Sequence, residues 1–256
     1  MAAEIPPAWL KNSWEEKARQ NPLFAVQTTD DMAGAPAQGF TPAQIEQLFD
    51  RGRRLYRERL TPLLAGLAEP RDQALIVEYG CGVGRILRSL VDAGYRCAGI
   101  DISPTMLDHC RRLVPEVEGV WCLDEAGRSA LEDETASVVF SYAVLQHIST
   151  FTAYTRAIDE ICRVLKPGGL MAIHLNCEDF CEDPPTRTVN YEARSVHYRN
   201  GEDEPYLSHK QQQWSGVYIG YDALTDRLAG NGVTVERWFF HNPLKLRGIW
   251  VVGRKG

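Results

Sequence analysis

Three glycines alternate in the segment IVEYGCGVGR, residues 76–85. Gly80, Gly82 and Gly84 directly follow an apolar run. Glycine at such a turn lets the backbone bend tightly and approach a ligand closely. A helix starting beyond the turn adds exposed N–H groups and a positive dipole end, with Arg85 leading into it. Two details narrow the ligand. The spacing is G-x-G-x-G, not the G-x-G-x-x-G of nicotinamide dinucleotide turns. Glu78 also precedes the first glycine by two residues. A carboxylate there repels a pyrophosphate and suits a cation.

Asp101 ends the next apolar run, CAGIDIS. A carboxylate at the end of a second strand suits hydrogen bonds from a ribose diol. Ile102 and Met106 follow, placed to line one face of an adenine ring. Asp124, after the third strand, suits the adenine amino group, and Glu125 competes for that role. His147, in AVLQHI, is the best candidate for a general base, because an imidazole pKa of about 6.5 suits that work near neutrality. A ring that packs the pocket wall is the other reading. Tyr142 is placed to touch cofactor or acceptor, and Ser141 to touch the cofactor. Glu178 and Asn176 stand just past the fifth strand. Either can orient an acceptor or steady a developing cation, or simply open a polar loop.

The elements that must position these residues read as strand and helix in alternation. From Ala74 the strands are ALIVEYG, CAGIDIS, GVWCLD, ASVVFSYAV and GLMAIHLN. The helices between them are GRILRSLVDAG, PTMLDHCRRLV and TAYTRAIDEICRVL, the last ending at Lys166-Pro167-Gly168-Gly169. This rhythm implies an α/β, doubly wound sheet with its ligand at the carboxyl ends of the strands. YDALTDRLAGNG then forms a helix, and VTVERWFFH and LKLRGIWVVGRK a closing pair of strands. Upstream, Ser13 to Glu16 reads as a capping box for a short helix ending near Asn21-Pro22. Thr41-Pro42 starts a longer helix, with Thr41 as N-cap.

Five segments follow from this reading: an N-terminal lid, 1–40; a helix packing on the core, 41–73; the core, 74–176; an acceptor-side cap inserted after strand five, 177–215; and closing elements, 216–256. Trp9, Trp14 and Phe24 in the first segment, and Trp214 in the insertion, suit an apolar lid over an acceptor. Packing onto the domain, or onto a second copy in a homodimer, is the other use of the same rings.

Composition excludes some classes. Lys plus Arg is 28 and Asp plus Glu is 34, a net charge of −6, against the usual balance of a phosphate-tracking protein. No stretch approaches the roughly 20 apolar residues of a membrane span, and the N-terminus lacks the basic start and apolar run of a secretion signal. The 7 cysteines are scattered and odd in number, which reads as free thiols in a cytoplasmic protein. Cys177 and Cys181 lack the second pair that a zinc site needs, so no metal is expected.

VEYGCGVGR, GIDISPTML, ASVVFSYAVLQHI and RVLKPGGLMAIHL, taken in order, resemble four motifs of class I S-adenosylmethionine-dependent methyltransferases. The resemblance covers about residues 74–176. It implies a seven-stranded sheet with the last strand antiparallel. It further implies that Glu78, Gly80, Gly82 and Gly84 hold the methionine part of the cofactor and Asp101 the ribose. Ser137 departs from the pattern, standing where many relatives carry Asp. The implied activity is in-line transfer of a methyl to O, N or C of an acceptor. A lidded pocket favours a small molecule, an aromatic or heteroaromatic metabolite or a sugar hydroxyl. An RNA or protein acceptor is the alternative, with Arg51, Arg53, Arg54, Arg57 and Arg59 as the basic run, although Glu46, Asp50 and Glu58 suit pairing with it. A non-catalytic cofactor-binding protein is the third reading, and a nicotinamide oxidoreductase ranks below it.

Overall fold

The computed structural model describes residues 7–23, 40–67, 69–148, 150–175, 219, 221–242 and 247–256. A seven-stranded sheet has the order β3-β2-β1-β4-β5-β7-β6. Its strands are β1 (Leu75–Tyr79), β2 (Arg96–Asp101), β3 (Gly119–Cys122), β4 (Ala136–Ser141), β5 (Leu165–Leu175), β6 (Val233–Asn242) and β7 (Arg247–Lys255). β1 pairs with β2 and β2 with β3 in parallel, whereas β7 runs antiparallel to both β5 and β6. This is the α/β sheet with an antiparallel last strand that the motifs imply. β1 and β4 are buried along their whole length, as continuous apolar strands covered on both faces must be.

Contacts divide the chain into two compact units. The first comprises Ala8–Leu131 with Ala136–Val138. It contains α1 (Pro7–Gln20, from Ala8 onward), α2 (Pro42–Leu55), α3 (Thr61–Leu64), α4 (Leu87–Asp92) and α5 (Pro104–Leu113). Thr41 caps α2 as expected: the Gln44 N–H donates to its Oγ1 at 3.2 Å, and its own N–H donates to Gln44 Oε1 at 3.0 Å. A π-turn over Tyr56–Leu60 joins α2 to α3. Pro62 explains it, since its ring cannot donate and crowds the preceding turn, which widens.

Two expectations need correction here. Ser13 caps nothing, because α1 already begins at Pro7, whose fixed φ favours a first helical turn. The helix expected from Gly84 begins only at Leu87, because Gly84 is left-handed, with φ +83°. Residues 7–23, part of the segment read as an N-terminal lid, pack against the core. Ala18 and Leu23 are fully buried in a core cluster with Leu48, Phe49, Val83, Met106 and Val114.

The second unit runs from Val139 onward with Glu132–Thr135. It contains α6 (Phe151–Val164) and α7 (Tyr221–Gly230). α6 ends at Val164, within one residue of the expected end, and β5 begins at once, so the strand includes the Lys166–Gly169 stretch read as the connection. Lys255 satisfies carbonyls at this end. Its Nζ donates to Cys162 O at 3.1 Å and Leu165 O at 2.9 Å, so carbonyls at the helix end find a cation. Arg227 on α7 pairs with Asp159 on α6. Buried Glu160 pairs with Arg163, at 2.7 Å. The segment 177–215, read as a cap, lies outside the described residues.

Candidate active site

The first unit assembles one group of the expected residues. β1 and β2 align Glu78 with Gly99 and Tyr79 with Ile100. The chain then leaves β1 while still tied to β2: the N–H groups of Gly80 and Cys81 both donate to Ile100 O, at 2.7 and 3.0 Å. Gly80, Gly82 and Gly84 have φ of +79°, +52° and +83°, so each sits where a side chain is strained. Gly99 makes room for the turn, since a Cβ there would lie 2.6 Å from Cys81 Sγ.

Glu78 is buried inside this turn, 3% exposed. It accepts from the Leu87 N–H, yet its Oε2 is buried with no hydrogen-bond partner. Burial pushes its carboxyl well above the ordinary range, with the Arg85 guanidinium pulling the other way. A buried acceptor of this kind is costly unless a donor or cation meets it.

Asp101, at the end of β2, is oriented by backbone. Its Oδ2 accepts from the Gly82 N–H at 2.8 Å and its Oδ1 from the Ser103 N–H at 2.9 Å. Burial raises its pKa against these bonds and that of Ile102. The Gly82 bond ties the glycine turn to the Asp101 carboxylate directly. Ile102 lies partly exposed beside it.

Other expected residues are placed differently. Met106 is 2% exposed and packed into the core cluster with Ala18 and Leu23. Asp124 is exposed, and its Oδ1 accepts from the Arg128 N–H at 2.8 Å, closing its own turn. Trp14 lies on α1 with Lys17 Nζ 4.5 Å above its ring. Phe24, Asn176, Glu178, Trp214 and the side chain of Trp9 lie outside the described residues.

The second unit assembles another group. Ser141 is the buried last residue of β4, and Tyr142 follows it. The Tyr142 ring lies 4.9 Å from His174 and stacks on Trp250 at 5.7 Å, with an interplanar angle of 13°. His174 and Trp250 are register partners on β5 and β7. His147 ends a short 3-10 turn, Leu145–His147, with Gln146 Nε2 3.3 Å from its Nε2.

Sequence reasoning missed several contributors. Gly52 lies inside α2, where a glycine costs helix stability and signals a packing reason. A Cβ there would lie 2.0 Å from the carbonyl oxygen of Arg85, so α2 crosses the glycine turn at backbone contact. Gly248, φ +71°, does the same for His174, whose Nε2 would lie 2.4 Å from an added Cβ. Glu15 had no local signal at all. Its partners, Ser103 and Thr105, stand far along the chain.

The glycine turn fits the cofactor that the motifs imply. The unmet Glu78 Oε2 suits a cationic ammonium, the left-handed glycines bare the backbone, and Asp101 is aimed by two N–H groups.

Comparison with known proteins bears on the family and the fold. Residues 77–173 match the family model described as a methyltransferase domain. An uncharacterised methyltransferase of Mycobacterium bovis is 29% identical over 131 residues, 51% of this chain and 50% of that protein. A malonyl-[acyl-carrier protein] O-methyltransferase of Methylococcus capsulatus is 34% identical over 122 residues, 46% of this chain and 43% of that protein. The chain thus spans about half the length of the curated relatives it matches. Among solved structures, magnesium protoporphyrin IX methyltransferase from Synechocystis PCC 6803 with bound SAM shares the fold, with a TM-score of 0.59, 12% identity and 100% coverage of both chains.

Proposed function

From residues 77–173, a methyltransferase domain of the class I, S-adenosylmethionine-dependent fold, we propose that this chain methylates a small molecule, with an oxygen as the favoured nucleophile. The observation that carries the cofactor half of this reading is the buried, unmet Oε2 of Glu78 behind the glycine turn. S-adenosylmethionine, when bound, supplies a methyl on a cationic sulfonium that leaves as a neutral thioether.

Glu78 offers its free oxygen to the ammonium of the methionine part. The Gly80–Gly84 backbone gives that part room to lie against the turn. Asp101 accepts from the ribose hydroxyls while Gly82 and Ser103 hold it in place. Pre-set orientation of this kind lowers the entropy lost in reaching an in-line geometry.

Oxygen is favoured because the M. capsulatus relative is an O-methyltransferase by name. An already ionised oxygen needs no base. A hydroxyl acceptor needs one, and His147 is the candidate for that role. Tyr142 is partly exposed and is backed by the buried His174 and Trp250, so its ring offers a flat apolar face that favours an aromatic or heteroaromatic acceptor. Trp9, Trp14, Phe24, Asn176, Glu178 and Trp214 remain the proposed acceptor side.

A macromolecular acceptor is the second reading, carried by the arginine run on α2. Arg53 in that run is already paired with Glu46 and Asp50, which weakens it. Among the described residues, no helix is long and apolar enough to cross a membrane.

Methyl-labelled S-adenosylmethionine, incubated with the protein and fractionated cell extract, tests the reading. Label in the small-molecule fraction is the expected result. Label confined to RNA or protein overturns the acceptor class, and failure to bind cofactor overturns the reading as a whole.

A further inference from the structure

α1 lies outside the segment that matches the methyltransferase domain, yet its Glu15 is bonded into the turn that presents Asp101. The Ser103 hydroxyl donates to Glu15 Oε2 at 2.6 Å, and the Thr105 hydroxyl donates to Oε1 at 2.5 Å. The Thr105 N–H donates to Oε2 at 3.3 Å, and Arg19 Nε donates to Oε1 at 3.2 Å. The Glu15 side chain is 15% exposed. Burial lifts its carboxyl, but the bonds from Ser103 and Thr105 outweigh that and leave it below the ordinary value.

Ser103 is the link. It is fully buried and stands between two carboxylates. Its hydroxyl donates to Glu15, while its N–H donates to Asp101 Oδ1. Its Oγ also accepts from the Met106 N–H at 3.2 Å, which caps α5. A serine bonded at all three points has its side chain fixed, and that anchors the backbone segment that carries its N–H. The N–H in turn sets the Asp101 carboxylate, whose other oxygen is held by Gly82. Apolar contact seats the same helix elsewhere, through Ala18 in the cluster with Val83 of the glycine turn and Met106 of α5.

We infer that Glu15 is a positioning residue for the cofactor: by locking Ser103 it holds Asp101 aimed at the ribose, and it thereby couples the docking of α1 to nucleoside binding. This rests on the proposed cofactor role of Asp101. The coupling is reciprocal, since whatever α1 docking gives to cofactor affinity, bound cofactor returns to α1 docking.

The test is titration of S-adenosylhomocysteine into the wild type and the Glu15→Ala, Glu15→Gln and Asp101→Ala variants, with amide hydrogen exchange followed along α1. Glu15→Ala should weaken binding about 5- to 10-fold, at the low end of usual coupling. Glu15→Gln, which keeps one acceptor oxygen, should weaken it less, and it carries the test if the alanine variant does not fold. The product should slow exchange in α1 of the wild type and lose that effect in Glu15→Ala. A purely structural Glu15 would lower the melting temperature and leave product affinity unmoved, which overturns the inference. So does product binding that leaves wild-type α1 exchange unchanged. Wild-type protein that binds no product overturns the cofactor reading and the latch together. Binding lost in Asp101→Ala but intact in both Glu15 variants overturns the latch alone.

Discussion

Around β1 to β3 the candidate site carries two carboxylates, Glu78 and Asp101, and backbone N–H groups hold them. From β4 to β7 the comparable positions are rings, and side chains hold them. Glu78 and Asp101 take N–H bonds from Leu87, Gly82 and Ser103. Tyr142, His174 and Trp250 lie against one another. Backbone donors are available to any sequence that makes the turn, so the first arrangement suits a ligand that never changes. Ring contacts depend on side-chain identity, so the second can be re-shaped without disturbing the first.

The largest effect that would break this contrast is on cofactor affinity. With Asp101 in its proposed ribose-binding role, removing its carboxylate deletes two acceptors, each worth about 1.5–3 kcal/mol when one partner is charged. Asp101→Ala should therefore weaken S-adenosylhomocysteine binding by about 100-fold or more. Glu78→Ala should act similarly through the proposed ammonium contact. Tyr142→Ala should leave product affinity within about twofold if its ring serves the acceptor. Calorimetric titration of the three variants measures all of this. Equal losses in the three would erase the division of labour.

Two glycines carry the next effect, one in each unit. Gly52→Ala drives a Cβ into the Arg85 backbone carbonyl, which cannot yield as a flexible side chain would. Gly248→Ala places a Cβ against the His174 ring at a left-handed φ of +71°. Each should destabilise by about 3 kcal/mol, within the range for strain and overpacking. Urea unfolding measures the loss. Product titration then separates the two, because Gly52→Ala displaces the cofactor turn and Gly248→Ala displaces the aromatic trio. If Gly248→Ala weakens product binding as much as Gly52→Ala does, Gly248 is not confined to the aromatic trio's role.

What could be read from the sequence follows the same line. Gly80, Gly82, Gly84, Glu78 and Asp101 are legible because strand, turn and helix follow one another within a few residues, and each residue's task is local. Thr41 is legible for that reason too. Gly52 and Gly248 answer to partners brought close only by folding. The Ser13 capping box was a local signal that a stronger one, Pro7, overrode. The end of α6 is legible to within one residue, but the cation on its last carbonyls, Lys255, arrives from β7 and leaves no local signal. Trp250 reaches Tyr142 and His174 only through the β5–β7 register.

The pH dependence of binding gives a smaller, signed test. Burial raises the Glu78 carboxyl above its ordinary value of 4.5. A group raised on folding contributes stability below its unfolded pKa, and that contribution is lost as pH climbs through the folded value. The ligand-free protein should therefore lose stability as pH rises above about 4.5, as far as Glu78 is concerned. Under the proposed Glu78–ammonium contact, product affinity should rise over the same window, by up to about tenfold per pH unit, because that contact needs the ionised carboxylate. Glu78→Gln should flatten both profiles. A flat profile in the wild type would show that Glu78 is ionised throughout and that burial does not govern it.

The smallest effect belongs to the outer face of α2, where the macromolecular reading would have to act. Arg53 is bonded to Asp50 at 2.5 Å and also to Glu46, and both carboxylates are well exposed. Exposed pairs of this kind contribute about 0.2–1 kcal/mol. Arg53→Ala should accordingly cost less than about 1 kcal/mol in unfolding and leave product affinity unchanged. The informative measurement is RNA binding across a salt series. An arginine that contacts phosphate lowers the slope of log affinity against log salt by about one when it is removed. An arginine already committed to two carboxylates lowers nothing. An unchanged, shallow slope would leave the outer face of α2 as a solvated helix surface and keep recognition on the inner side, where Gly52 meets the glycine turn. A steep wild-type slope that falls by about one in Arg53→Ala would mean that phosphate displaces Glu46 and Asp50. The acceptor would then be read from the cofactor unit itself, and the contrast between the two regions would fail.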